Sequence, residues 1–145
     1  MDKAIAFLLN NGAGENAHSG RNLLDHLLGT AEILRSWDCD EDVILAGLFH
    51  SVYGTESYHT QTISYDNREQ VKEAIGERAE QLAYEFGSRS NRFSSFIQNN
   101  ETDLILIECA NLIEQKINPS YIAAATVVDL PVKAKTTITN YLQSY

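Results

Sequence analysis

The stretch Ala46-Gly-Leu-Phe-His-Ser-Val-Tyr-Gly-Thr-Glu56 decides how this chain is read. An apolar run (Val43, Ile44, Leu45, Ala46, Leu48, Phe49, Val52) delivers His50, and Tyr53, Gly54, Thr55 and Glu56 follow at once as a turn. A helix that is apolar nearly all round is central and buried. The pattern therefore predicts a buried helix over residues 41–53, with a polar loop over 54–66 lying across its end. Such loops carry function or act as lids. Upstream, His26 sits among Leu23, Leu24, Leu27, Leu28, Ala31, Ile33 and Leu34, which predict a helix over 21–37. Downstream, Glu108 and Asn111 interrupt Leu104-Ile-Leu-Ile-Glu-Cys-Ala-Asn-Leu-Ile113, whose length and flanks favour a buried helix over 101–116. Unpaired polar groups are costly in apolar surroundings. Four of them on three apolar segments point to one shared polar pocket.

Outward from this centre the chain reads as more helices. Asp2 is placed to cap a short one over 3–10, which Asn10-Asn-Gly-Ala-Gly14 ends. A polar loop with His18 spans 15–20. Asp38-Cys-Asp-Glu-Asp42 puts acids at the start of the central helix, where its dipole favours them. Helices over 67–75 and 77–86 are separated by Gly76, a loop covers 87–91, and a helical turn covers 92–97. Asn100 is placed to cap the helix over 101–116. Pro119 opens a helix over 121–129, and Pro131 starts the last, to about residue 143. With no internal repeat, low-complexity tract or linker, the expectation is a single all-α domain, residues 1–145, a compact bundle of about eight helices.

Composition narrows the function classes. The 145 residues are enough for a core without staples, and 43% apolar content is ordinary for a globular protein. Only two prolines and eight glycines leave room for long helices. A formal charge of −9, with 11 scattered Lys and Arg, repels nucleic-acid phosphates, so no nucleic-acid partner is expected. No run approaches the roughly 20 apolar residues that span a bilayer, so no membrane partner is expected. Cys39 and Cys109 have no ligand-like spacing and read as free thiols of a cytoplasmic protein. A homodimer is compatible with a helical domain of this size.

Taken from the residues alone, His26 and His50 are either core histidines satisfied by local partners or the start of a metal or acid–base site. Glu108 is either an edge carboxylate reaching solvent or a pocket acid. Arg21, with its bidentate fork, either binds an anionic group or pairs on the surface. Tyr53, Tyr58 and His59 either line a ligand or pack the loop down. Asp25 points about 100° away from His26 around the helix and is a candidate for a solvent-facing charge. Ser51 is not a nucleophile served by His50, because adjacent helical residues point apart.

Arg21-Asn-Leu-Leu-Asp-His-Leu-Leu-Gly-Thr-Ala-Glu-Ile-Leu34, followed by an acidic turn and Val43-Ile-Leu-Ala-Gly-Leu-Phe-His50, resembles the opening of an HD-domain protein. The RelA/SpoT-type ppGpp hydrolase branch is the nearest in flavour. Ala17-His-Ser-Gly-Arg21, Val71-Lys-Glu-Ala-Ile-Gly-Glu-Arg-Ala-Glu80 and Ile107-Glu-Cys-Ala-Asn-Leu-Ile113 extend the likeness. The resemblance implies an HD-like helical fold, with His26 as the first metal-binding His and His50 as the His of the His-Asp pair. It also shows where the chain departs. Ser51 stands for the Asp of the pair, Asn111 for the late metal-binding Asp, and Gly54 and Thr55 for a Glu-Asp pair. Two neutral imidazoles, a hydroxyl and an amide bring no charge to offset that of a divalent ion.

Three readings follow. In the first, the chain binds a small-molecule ligand and performs metal-free acid–base chemistry with His50, Glu108 and Glu56, while Arg21, Ser51, Tyr53, Thr55, Tyr58 and Asn111 bind the ligand. In the second, His26 and His50, with Glu56 or Glu108, hold one divalent transition metal (Mn, Fe, Zn or Ni) for phosphoester hydrolysis of nucleotide-like substrates. In the third, the fold keeps the pocket as an inactive ligand-binding or regulatory module.

Overall fold

The computed structural model of the protein describes residues 1–14, 17–18, 21–117 and 119–144. In chain order the elements are α1 (Asp2–Asn10), β1 (Ala17–His18), β2 (Arg21–Asn22), α2 (Leu23–Ser36), α3 (Glu41–Leu48), α4 (Arg68–Ile75), α5 (Glu77–Ser88), α6 (Arg92–Gln98), α7 (Thr102–Gln115) and α8 (Val132–Gln143). Two 3-10 segments, Tyr65–Asn67 and Ser120–Val127, complete the list. The fold is all-α, with eight α-helices among the described residues. β1 and β2 form a two-residue antiparallel ladder, with Ala17 opposite Asn22 and His18 opposite Arg21, where the sequence suggests a loop over 15–20 and a helix already begun at 21.

α2, α3 and α7 form the centre. On α7, every residue from Leu104 to Leu112 is buried, Glu108 and Asn111 included. α2 packs on α3 and on α7, and α5 packs against α3. The α2–α3 approach is close because Gly47 lacks a side chain where Leu34 presses in. One continuous hydrophobic cluster runs from Ala4 and Leu8 of α1 through these helices to Ala134 and Ile138 of α8. Its largest buried side chains include Trp37, Phe49, Phe86 and Phe96.

Local signals explain most boundaries. Asn22 accepts from Leu24 N at 2.8 Å and caps α2, and Asp40 accepts from Val43 N at 3.1 Å and caps α3. Asp2 lies in the first turn of α1 without capping it, and Glu101, not Asn100, is the N-cap residue of α7. The chain differs from the expected pattern at two larger places. α3 stops at Leu48 rather than running to Tyr53, because His50 turns back and its Nδ1 donates to the Gly47 carbonyl at 2.7 Å. That side-chain bond satisfies an acceptor at the helix end and competes with further helix. The segment expected as a helix over 121–129 is a 3-10 segment. Its buried residues, Ile122 and Ala125, and Val128 just past its end recur every third position, the spacing at which 3-10 side chains eclipse.

No helix among the described residues is long and apolar enough to cross a membrane. Cys39 and Cys109 are both free. Burial, reinforced by Asp103, Asp40 and Asp38, pushes the Cys39 thiol up to about 11. Burial and then Glu108 push Cys109 further in the same direction.

Candidate functional site

The polar stripe of α7 builds one wall of the site. Glu108, Asn111, Glu114 and Gln115 recur at three- and four-residue spacing, so all lie toward one side of the helix. Gln115 Nε2 donates to Asn111 Oδ1 at 2.8 Å, and Asn111 Nδ2 donates to Glu108 Oε1 at 2.8 Å. Arg92, the first residue of α6, donates from Nε to Glu108 Oε2 at 2.6 Å and from Nη2 to Oε1 at 3.4 Å. Its guanidinium lies 4.6 Å over the Phe86 ring, and Nη2 reaches Ser57 Oγ at 3.3 Å. Glu108 is 1% exposed and Arg92 4% exposed. A buried carboxylate needs such a partner, because desolvation opposes its charge. Glu108 therefore holds Arg92 in place, and both of its oxygens are engaged.

The second wall is the end of α3. His50 Nε2 stands 3.3 Å from His26 Nε2, with the rings edge to face and their centroids 5.1 Å apart. Behind His26, its Nδ1 lies 2.6 Å from Glu114 Oε1. The other face of His50 meets Phe86, with centroids 5.2 Å apart. The two histidines, 24 residues apart in sequence, are thus brought together as their apolar settings suggest.

Between these walls lies a cavity of about 390 Å³. His50, Ser51, Thr55, Ser57 and Tyr58 line it from the α3 end and the following loop. Arg92 lines it from α6, and Asn111, Leu112 and Gln115 from α7; Ile117, Pro119 and Tyr121 complete it. A neighbouring cavity of about 300 Å³ shares Ser57, Arg92 and Tyr121 and adds Glu56 and Glu108. Ser51 is 1% exposed, and its Oγ has no hydrogen-bond partner among the described residues. Arg92 Nη1 is in the same condition, with Glu56 Oε1 3.9 Å away. Two buried donors without partners therefore sit on the walls of one cavity.

The loop over this cavity is tied down. Thr55 Oγ1 accepts from Tyr58 N at 3.0 Å, and Thr55 N donates to Tyr58 O at 2.7 Å, closing a tight turn after Gly54 at φ +83°. Thr62 N and Ile63 N both donate to Val52 O. The Glu56 carboxylate accepts from Asn91 N and Arg92 N, both at 2.9 Å. Glu56 thus braces the start of α6 from the loop rather than pointing at His50.

Tyr53 goes elsewhere. It is 1% exposed, and its hydroxyl donates to Glu80 Oε2 at 2.7 Å. Arg68 grips the same carboxylate with Nε and Nη2, each at 2.8 Å, and lies 3.7 Å over Tyr84. Burial opposes the charge of Glu80, but its bonds from Arg68 and Tyr53 outweigh that and hold it below the usual carboxylate range. Burial first, then the bond to Glu80 and its charge, raise the Tyr53 phenol above its ordinary value of 10.0, against the opposing Arg68 charge. A raised phenol favours the folded state fully below the unfolded value, and the benefit fades as pH rises past it. Denaturant melts taken between about pH 9 and pH 11 are expected to show falling stability in the wild type. Tyr53→Phe is expected to flatten that slope, and an unchanged slope would contradict the assignment. Arg21 belongs to β2, and its side chain lies outside the described residues.

The HD resemblance implies a divalent ion on His26 and His50, but the donor set does not fit one. Glu108 is engaged by Arg92 and Asn111, Glu114 faces the far nitrogen of His26, and Glu56 braces α6. Among the described residues, no cluster of three or more His, Cys, Asp and Glu side chains is arranged to hold an ion. Two neutral imidazoles alone leave a hard or borderline cation without anionic oxygens.

Fold and site together define an all-helical protein with a buried histidine pair beside a polar cavity. The chain belongs to the family described as a domain of unknown function, DUF6817, whose profile matches residues 7–90. No curated protein and no solved structure matches it. The family match takes in His26, His50, Ser51 and Phe86 and ends before Arg92 and the α7 stripe.

Sequence reasoning missed Arg92, Glu114, Gln115, Ser57 and Phe86. A signal existed for two of them: Glu114 and Gln115 continue the spacing that singled out Glu108 and Asn111. Arg92 opens a short helix far along the chain from both His residues, and nothing local marks it as buried.

Proposed function

We propose that the cavity binds a small, neutral, polar molecule and that His50 exchanges a proton with it, on a divergent HD-like fold. The observation that carries this is the pair of buried, unpartnered donors, Ser51 Oγ and Arg92 Nη1, on the walls of the cavity that His50 also lines. Leaving such a donor unsatisfied costs about 1–3 kcal/mol, so each is a group that an acceptor on a ligand would relieve. A carbonyl, ether or hydroxyl oxygen suits both donors. The nearby hydroxyls of Thr55 and Ser57 and the amides of Asn111 and Gln115 suit a ligand with several polar groups.

Charge argues for a neutral ligand. The one cation on the cavity wall among the described residues, Arg92, is already offset by Glu108, and Glu56 adds a further negative group. Among the described residues, a phosphate would meet no uncompensated positive charge there, which counts against the phosphoester reading. His50 is the group left for proton transfer, because Glu108 and Glu56 are committed to holding Arg92 and α6. Kinship with HD domains rests on the meeting of His26 and His50 from two neighbouring elements.

The test is a thermal-shift screen of sugars, polyols, nucleosides and amides, each paired with its phosphorylated counterpart. A neutral binder at 100 times its Kd adds about 2.7 kcal/mol. Preference for phosphorylated compounds would sink the reading. With a binder in hand, Ser51→Ala is expected to leave the free protein as stable or slightly more stable, since it deletes an unsatisfied hydroxyl. The same change is expected to weaken binding about tenfold, or 1.4 kcal/mol. Lower stability with unchanged affinity would show that Ser51 serves packing alone. Binding with no chemical change in the ligand would assign the pocket to a binding module.

A further inference from the structure

We infer that the cavity beside His50 continues outward into an apolar subsite between α6 and the 3-10 segment Ser120–Val127, and that this subsite takes an uncharged aryl or short alkyl end of the ligand. The ligand is then a polar head joined to an apolar tail; the head rests on the function proposed above, and the tail does not.

The three cavities share walls. Ser57, Arg92 and Tyr121 line both the cavity of about 390 Å³ and its neighbour of about 300 Å³. Phe93, Ser94 and Tyr121 in turn line both that neighbour and a third cavity, also of about 300 Å³. Tyr121 borders all three, so one path leads from Ser51 past Arg92 to the surface.

Local geometry builds the outer walls. Residues four apart on an α-helix share a side, which puts Phe93 with Ile97 on α6. Residues three apart eclipse in a 3-10 helix, so Tyr121 and Ala124 form the facing row, while Ile122 and Ala125 turn into the core. Serine and glutamine edge this outer cavity, and no charged side chain among the described residues lines it. Tyr121 is 46% exposed, yet its ring packs beside the buried Phe93 ring, with centroids 5.0 Å apart and planes tilted by 41°. A ring pair with an open side is a platform on which another apolar group gains contact and leaves water. Single exposed apolar residues such as Val127 are ordinary. Tyr121 differs because it stands where the polar cavity opens.

The chemistry offered to a ligand changes along this path. Hydroxyls and amides dominate the inner end. At the junction stands Arg92, a side chain that only donates, which suits an ether or ester oxygen between the two halves. Apolar contact dominates the outer end. A cavity of that volume lies at the small end of ligand clefts, so the tail is one ring or a short chain rather than a fatty acyl chain.

The experiment titrates three neutral probes into the full chain labelled with nitrogen-15 and follows the backbone amides. The probes are glycerol, benzyl alcohol, and the benzyl ether of glycerol, which joins the two through an oxygen. Benzyl alcohol is expected to shift the amides of residues 93–98 and 120–124 and to leave 132–140 unmoved, although Val132 is exposed there. The benzyl ether is expected to shift the same amides together with those of 51–58, and to bind about tenfold tighter than glycerol. Tyr121→Ala removes the platform, and Ala124→Asp puts a charge into the groove; both are expected to abolish that advantage. The amide spectrum itself reports whether each variant folds. Benzyl alcohol that leaves 93–98 and 120–124 unmoved, or moves 132–140 equally, would overturn the inference, as would an advantage retained in both variants. Groove amides that move on dilution alone would make this face a contact between two copies of the chain and overturn it as well. Shifts in the groove without any at 51–58 would uphold the outer subsite and sink the polar reading of the inner cavity, so the two fail separately.

Discussion

Arg92→Ala is expected to destabilise the protein by about 3–5 kcal/mol, the usual result of stranding one member of a buried ion pair. Glu108, 1% exposed, would keep only Asn111 as a partner and would face the apolar interior as an uncompensated charge. The α6 start would also lose its contact with the Phe86 face. For a chain of this length the loss corresponds to a fall in Tm of roughly 6–20 °C. Denaturant melts of the single variant and of Arg92→Met combined with Glu108→Leu decide the cause. The double change removes both charges and keeps apolar volume, so it is expected to recover most of the loss. If single and double variants melt together, packing rather than the stranded charge carries the effect.

Phe86→Ala is the second large expectation. Its ring is fully buried on α5, edge-on to His50 at 5.2 Å, beside Phe96 at 5.9 Å and beneath Arg92. Deleting a buried phenyl group costs about 3–5 kcal/mol, part transfer and part cavity. Here the hollow opens against both walls of the site. Ligand affinity is therefore expected to fall along with stability, whereas Phe86→Leu, which fills most of the space, is expected to cost less on both counts. A Phe86→Ala protein that melts lower yet binds with wild-type affinity would show that the ring supports the fold without positioning His50 or Arg92.

The fold was legible in the sequence where helical apolar spacing is dense. The patterns around Leu23 to Leu34 and Leu104 to Ile113 locate α2 and α7 within two residues at each end, and the acids of Asp38-Cys-Asp-Glu-Asp42 mark the start of α3. It was illegible where a side chain overrides the backbone pattern. His50 ends α3 by bonding back to Gly47, and no count of apolar residues contains that information. The site divides the same way. The meeting of His26 and His50, and the closeness of Glu108 and Asn111, follow from polar residues on buried faces. The role of Glu108 does not, because it depends on Arg92, 16 positions away on a different helix. Tyr53 and Glu56 looked like cavity groups from their nearness to His50. Their actual partners, Glu80 and the backbone of Asn91 and Arg92, come from α5 and α6.

Three helical glycines set how this pocket responds to mutation over long times. Gly47 admits Leu34, Gly29 admits Glu114, and Gly87 admits the Gly54 carbonyl, where a Cβ would stand 2.6 Å from that oxygen. The last two are contacts between the helical frame and a part of the site, and the first sets the close approach of α2 and α3 that brings His26 to His50. One added carbon at any of them shifts a site element while most of the core stays in register, and such shifts typically cost 1–3 kcal/mol, which many folds survive. A lineage can therefore drift out of function by a single methyl group without losing its bundle. Among relatives of this chain, a glycine at 29, 47 and 87 should then sort those that retain the pocket from those that retain only the architecture, and should do so more sharply than the histidines themselves.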